Sequence, residues 1–330
     1  MRIYIIIFAV LLSITFLTGI SCTKPAESTN ITASQPTVVT PPAPPVTISV
    51  TPKNDRAGTK FDISCDNLKN GNGVKIKILQ SDGTLVIDRA VASDNSSTFA
   101  TSISTFGFEP GHYQCRLDDG DGKLLAMEEF DIAGTKKVLF EDDFSNGYSG
   151  WYVWSNDKDS FSYDNFKGEP VYHIKSNAAV WMDYIPMHTL GSIGNFAVEV
   201  DCWPDPTSTD TKCGLIFRYV SKSTENIWGN NVNFYGFGVA TDPGMYGVMM
   251  WLDSKWNTLV KYTPTDATQK GQPNRLKVAC NGSIIECYVN GLQVETFEDS
   301  RLASNGYVGL IAAGSKLNAY FDNFVVYQIK

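Results

Sequence analysis

Apolar residues along this chain recur mostly at every second position, in short runs broken by Gly, Asn, Asp, Ser and Pro. That alternation is the signature of half-buried strands, and no run has helical spacing. Within 48–135 the runs are TISV, KFDISC, VKIKIL, TLVI, HYQCRL and LLAMEEFDI, with Phe61, Ile63 and Cys65 on one face and Val74, Ile76 and Ile78 on another. Roughly seven strands in about 85 residues predict a β-sandwich. Within 138–330 thirteen runs follow, from VLFEDDF to YFDNFVVYQI, and predict a second, larger two-sheet sandwich of jelly-roll type.

Two stretches fix register. In NRLKVACNGSIIECYVNGLQV (274–294), Asn281-Gly282 and Asn290-Gly291 are hairpin turn signals, because both residue types tolerate positive φ. A turn at Asn281-Gly282 places Leu276, Val278, Cys280, Ile285, Cys287 and Val289 on the inner face. Cys280 and Cys287 then stand two rungs apart, too far to bond, and act as small apolar residues. In VNFYGFGVATDPGMYGVMMWL (232–252), a hairpin through 241–244 pairs Tyr235 with Met250, Phe237 with Val248 and Val239 with Tyr246, which is the core face. The opposite face pairs Phe234 with Trp251, Gly236 with Met249 and Gly238 with Gly247. Glycines beside Trp251 and Phe234 predict a shallow apolar trough, with Trp228, Trp256 and Asn233 as neighbours. A sugar ring could stack there. The competing reading is a trough covered by the domain's own loops.

Composition places these sandwiches outside the cytoplasm. Net charge is -8, which excludes a nucleic-acid partner and electrostatic docking on anionic lipid. After Arg2, residues 3–20 are an unbroken apolar run that ends at Ser21-Cys22. The stretch GISC resembles the lipobox of bacterial lipoproteins, although Gly19 stands where Leu is usual. The expectation is a signal peptide over 1–22 with Cys22 as lipid anchor, the membrane being touched through that anchor only. An uncleaved membrane anchor and a plain secretory peptide are the alternatives. Residues 23–47, rich in Pro, Thr and Ser, read as a disordered linker.

In EPGHYQC (109–115), Tyr113 lies two residues before Cys115, the tyrosine-corner spacing, and Cys65 lies upstream on a strand of matching parity. The pattern resembles the immunoglobulin fold, and the resemblance implies an inter-sheet disulfide between Cys65 and Cys115. No Trp accompanies it on VKIKIL. The module reads as a spacer or adhesion domain. Cys202 and Cys213 flank the loop WPDPTSTDTK and face each other in a simple hairpin register, so a cross-strand disulfide and a free buried pair are both open.

FEDDFSNGYSGW, CGLIFRY, NFYGFGV, GMYGVMMW, NRLKVACNGSIIECYVNG, GYVGLIAAG and YFDNFVV together resemble concanavalin A-like, laminin-G-like domains of bacterial surface proteins. They are also similar to the 3-keto-disaccharide hydrolase-type domain. The fold so implied hosts lectin-type modules and glycosidases alike. The related glycosidases carry Glu-x-Asp-x-Glu or a form one residue longer. Here Glu199 and Asp201 begin the pattern, but Trp203 and Pro204 stand where the second Glu belongs, so the proton donor is missing. Alternation puts Glu199 and Asp201 opposite the core, as surface carboxylates. No zinc, nucleophile-elbow or phosphate-loop motif occurs. Related sandwiches imply a structural Ca²⁺, for which Asp142, Asp143 and Asp322 are candidates, the alternative being strand-end capping. The reading is an all-β surface lipoprotein: an immunoglobulin-like sandwich, then a concanavalin A-like jelly roll that binds carbohydrate or a cell-surface protein without catalysis. A glycoside-acting enzyme of that fold and a purely structural envelope protein are the alternatives.

Overall fold

A computed structural model describes residues 43–68, 73–91, 97–177, 181–187, 189–205, 211–221 and 231–329, so Cys22 and Trp228 lie outside the described residues. The described chain is built of strands and turns.

The N-terminal part contains β1 (Thr47–Thr51), β2 (Asn54–Arg56), β3 (Lys60–Asp66), β4 (Lys75–Gln80), β5 (Leu85–Ala90), β6 (Phe99–Ser104), β7 (Gly111–Asp118) and β8 (Leu124–Ala133). They form two sheets, β1-β3-β6 and β2-β8-β7-β4-β5, antiparallel except for the β2–β8 pair. The alternation of β3 is seen directly: Phe61, Ile63 and Cys65 are buried and their neighbours exposed. They pack with Ile76, Ile78, Tyr113, Cys115 and Phe130 from the other sheet. The Tyr113 hydroxyl donates to the Glu109 carbonyl at 2.7 Å, the hydrogen bond that a tyrosine corner requires. The expected Cys65–Cys115 disulfide is not formed. Both thiols are free and buried, and the Cys65 sulfur is turned to the Asp66 carbonyl at 3.8 Å.

The C-terminal part continues with β9 (Lys136–Asp142), β10 (Trp154–Ser155), β11 (Asp159–Phe166), β12 (Glu169–Ser176), β13 (Trp181–Pro186), β14 (Phe196–Pro204), β15 (Lys212–Ser221) and β16 (Val232–Thr241). It ends with β17 (Gly244–Leu252), β18 (Lys255–Pro264), β19 (Asn274–Asn281), β20 (Ile284–Val289), β21 (Leu292–Glu298), β22 (Tyr307–Gly314) and β23 (Leu317–Ile329). One sheet runs β10-β11-β12-β23-β14-β19-β20-β21, with β9 added beside β23. The other runs β13-β22-β15-β16-β17-β18. Their inner faces enclose one continuous core from Phe144 to Val326, which makes a two-sheet jelly roll.

Register follows the predicted parity with one slip. Asn281 pairs with Ile284, so the first turn sits on Gly282-Ser283, and Cys280 faces Ile285 rather than Ser283. The slip moves the pairing by two positions and keeps every side chain on its face: Leu276, Val278, Cys280, Ile285, Cys287 and Val289 are all buried. The second turn is as predicted, with Asn290 at φ 49° and Gly291 at φ 85°. Cys202 and Cys213 do not face each other across a hairpin. β14 and β15 belong to opposite sheets, and the two sulfurs meet across the core at 2.8 Å with both thiols free.

Candidate functional site

The β16–β17 hairpin has the predicted register throughout, including Phe234 opposite Trp251, Gly236 opposite Met249 and Gly238 opposite Gly247. The glycine face is turned outward, but it is not an open trough. The Tyr262 ring of β18 lies where a Cβ on Gly247 would fall, at 3.0–3.2 Å, and its hydroxyl lies 3.4 Å from the corresponding point on Gly238. Over Gly236, the Met249 and Ile311 side chains take the space at 3.3 and 3.5 Å. The hollow left among Lys212, Gly236, Gly238, Met249 and Tyr262 has room for about one water. Gly236, Gly238 and Gly247 therefore serve close packing of side chains from their own sheet. Phe234 is also withdrawn from solvent. Tyr219 stacks on it at 5.9 Å, and Trp256 meets it edge-on at 5.8 Å.

What remains outside is a pair of indoles. The β17–β18 turn has Asp253 at φ 51° and Ser254 at φ 62°, which sets Trp251 directly opposite Trp256. The rings lie 4.8 Å apart, tilted by 59°. Trp251 is half-buried against Ile216, Phe234 and Ile311, and Trp256 is 45% exposed. Asn233, on the opposite face of β16 from Phe234, accepts the Asp253 backbone N–H at 3.0 Å and so braces the turn. Of the eight residues predicted to line a trough, Trp251 and Trp256 are brought together as a shelf, Phe234 supports it from beneath, and Asn233 holds the turn between the two indoles.

Glu199 and Asp201 are opposite the core, as predicted, but Glu199 is not a solvated surface group. The N-terminal sandwich covers this part of the sheet, and the Glu199 side chain is 16% exposed. Arg275 donates to it from Nε at 3.1 Å and Nη2 at 3.0 Å, and the Tyr327 hydroxyl also donates to it. Lys277 lies 3.5 Å from Glu199 and 2.8 Å from Glu109 of the other sandwich, and Lys136 also pairs with Glu109. Burial alone would raise the Glu199 pKa, but Lys277 and then Arg275 override it and hold the carboxyl at about 2. The same contest, with Lys277 and Lys136, lowers Glu109. Nearby, Glu286 accepts the Gly107 N–H at 2.8 Å and the Tyr288 hydroxyl at 2.6 Å. Glu109 and Glu199 share Lys277, and both carboxyls are held below the usual carboxylate range. A carboxyl held this low is a poor match for the general acid of glycoside cleavage, whose pKa has to be raised. No signal within β14 alone could reveal this joint, because half of it comes from residues 107–109.

The three candidate calcium ligands do not converge, and among the described residues no group of three or more His, Cys, Asp or Glu is placed to hold a metal ion. Asp142 is buried and already engaged: it accepts from the Phe144 N–H at 2.8 Å, from Trp151 Nε1 at 2.8 Å and from the Ser149 hydroxyl. Asp143 accepts from the Ser145 N–H at 3.0 Å and hydroxyl at 2.6 Å, which is the capping alternative. Asp322 accepts from the Asn323 N–H at 2.6 Å, while burial and the charges of Asp201, Asp143 and Glu169 push its carboxyl up to about 6. No helix of the described residues is long and apolar enough to cross a membrane.

No protein-family model matches the chain, and no curated protein matches it. Solved structures resemble it at low identity. The carbohydrate-binding module CBM66 from Bacillus subtilis is 17% identical, over 54% of this chain and 94% of its own, with a TM-score of 0.41. A galectin-like protein of unknown function from Bacillus subtilis is 12% identical, over 59% and 98%, with a TM-score of 0.43. The glycoside hydrolase family 16 endo-glucanase from Bacteroides ovatus is 11% identical, over 57% and 99%, with a TM-score of 0.44.

Proposed function

We propose that this protein is a non-catalytic, extracytoplasmic lipoprotein, held by lipid on Cys22, whose jelly roll binds carbohydrate through the Trp251–Trp256 shelf. The observation that carries the reading is the shelf itself. Two indoles are pinned opposite each other by a tight hairpin, one with nearly half its surface in water, and the Asn233 side chain holds the turn between them through the Asp253 N–H. Apolar ring faces suit the CH faces of a sugar ring. The N-terminal sandwich, read as immunoglobulin-like, serves as a spacer in this picture. A cell-surface protein is the other ligand class the shelf could take. The enzyme alternative has less support, since Glu109 and Glu199, which share Lys277, are both held below the usual carboxylate range.

The test is retention of the purified protein on cellulose, curdlan, xylan and levan and on soluble mixed-linkage β-glucan. The expected result is binding to at least one, weakened several-fold by Trp251→Ala and by Trp256→Ala at unchanged thermal midpoint. Retention on none of these polymers, with capture of a cell-surface protein instead, would replace the carbohydrate reading by the protein one.

A further inference from the structure

A second exposed aromatic group runs from the segment after β9 into β10, and it is held with more care than a surface loop needs. Trp151 is its nail. The indole is buried against Phe144, Tyr172 and Phe324, at 5.6, 5.4 and 4.9 Å, and its Nε1 donates to Asp142 at 2.8 Å. The Trp151 N–H donates to the Tyr163 hydroxyl at 3.2 Å, and the Tyr172 hydroxyl donates to the Tyr152 carbonyl. Gly150, at φ +105°, sits so close to Thr189 that a Cβ would fall 2.4 Å from its hydroxyl. The backbone is thus fixed on both sides of Trp151.

What that fixed backbone presents is apolar. Tyr148 is 96% exposed and Trp154 39%, with Tyr152 and Val153 exposed between them. The Tyr152 and Trp154 rings each lie 6.1 Å from Phe161, which forms the floor of the row. Exposed aromatics on a rigid frame lose little entropy when a partner settles on them. Only one charged residue, Asp157, falls within 146–157, and Asn146 and Asn156 stand at the two ends. Lys158 and Asp159 follow directly, and Glu141, Asp142 and Asp143 line one hollow with Asn146 and Ser149. β10 is too short to template an added strand, so a peptide in β-augmentation gains few hydrogen bonds. A neutral, hydroxylated polymer with flat ring faces fits both the rings and the amide ends.

The position of the row adds a second point. β10 is one edge of its sheet, and β21 is the other. The Tyr246 hydroxyl of β17 donates to Glu295 of β21 at 3.4 Å, which places the β17–β18 side of the six-stranded sheet over the β21 edge. The Trp251–Trp256 shelf and the Tyr148–Trp154 row therefore lie at opposite edges of the jelly roll. We infer that the row is a second contact site for the same class of neutral polysaccharide, so that one molecule can join two polymer chains. This rests on the carbohydrate reading of the shelf.

The experiment uses the purified protein, the five polysaccharides above, and the variants Tyr148→Ala, Trp154→Ala and Trp251→Ala. Tyr148 is so exposed that its truncation leaves folding intact. The expected result is that each variant weakens retention by about fivefold, and that only the wild type enlarges soluble mixed-linkage β-glucan in light scattering. Retention lost in Trp251→Ala but unchanged in both Tyr148→Ala and Trp154→Ala would overturn the second site and leave the first standing. Retention of the wild type on none of the five would overturn both. Self-association, or binding to phosphatidylcholine vesicles, that disappears in Tyr148→Ala and Trp154→Ala while polysaccharide retention does not change would assign the row to another partner and overturn the proposal.

Discussion

Replacing Lys277 by Met removes one charge from the joint between the sandwiches and keeps most of the apolar stem. Lys277 is the cation shared by Glu109 and Glu199. Glu199 falls from an ordinary value of 4.5 to about 2 in the folded protein, which corresponds to about 3 kcal/mol of stability at neutral pH. Arg275 and the Tyr327 hydroxyl remain on Glu199 in the variant, and Lys136 remains on Glu109, so only part of that is lost. The expected cost is about 2 kcal/mol at pH 7. The sign with pH follows from the depressed pKa. The stabilisation is complete above the unfolded value of 4.5 and disappears as pH falls toward 2. Lys277→Met raises the folded pKa of Glu199, so the variant has less to lose on acidification. Urea denaturation of wild type and variant at about pH 7, 5, 4 and 3 reads this directly. The two curves should converge as the pH falls. A gap that stays constant down to about pH 3, or no gap at pH 7, would refute the assignment of this joint as an ionic lock.

Asp142→Ala should cost about 2–3 kcal/mol, because it strands the buried Trp151 Nε1–H and the Phe144 N–H together. Added or chelated calcium should leave the thermal midpoint of the wild type unchanged, and a calcium-dependent rise would restore the metal reading of Asp142. Cys202 and Cys213, with sulfurs 2.8 Å apart, should close to a disulfide when a protein disulfide of the exported compartment accepts the two electrons and two protons they release. Intact mass of the unreduced, denatured protein should then be lower by about 2 Da, with the two residues in one cross-linked peptide. Full alkylation of both thiols without reductant would exclude it.

Much of the architecture could be read from alternation and turn chemistry. The β16–β17 register was legible because Thr241-Asp242-Pro243-Gly244 marks the turn, and Gly236, Gly238 and Gly247 alternate with the bulky Tyr235, Phe237, Tyr246 and Val248 beside it. The inner face of β19–β20 survived a wrong turn position because parity, not register, decides burial. The missing pieces have particular causes. β11, DSFSYDNF, carries mostly polar residues and buries only Phe161 fully, so it lacks the apolar alternation of its neighbours. The shelf was found, but the filling of the glycine trough was not, since it depends on the phase at which Tyr262 of β18 crosses the face. Glu199 reads as solvated from β14 alone, because its cover arrives from a different sandwich. The fixed aromatic row was overlooked because Trp151 falls between strands, Trp154 belongs to a two-residue strand, and only tertiary contacts separate the buried ring from the exposed one.

The joint also bears on where the chain can be divided. Tyr288 belongs to the second sandwich by sequence but packs in the core of the first, with Phe108 and Tyr113. A Cβ on Gly107 would fall 2.5 Å from the Tyr288 hydroxyl and 2.7 Å from Glu286, so the two surfaces touch at backbone distance. Excising 138–330 would bare Tyr288, Tyr327 and the buried carboxylate of Glu286 to water at once. The boundary near residue 135 is thus a seam in the sequence and not in the energetics. The two sandwiches should melt as one cooperative unit, and a functional fragment has to keep both.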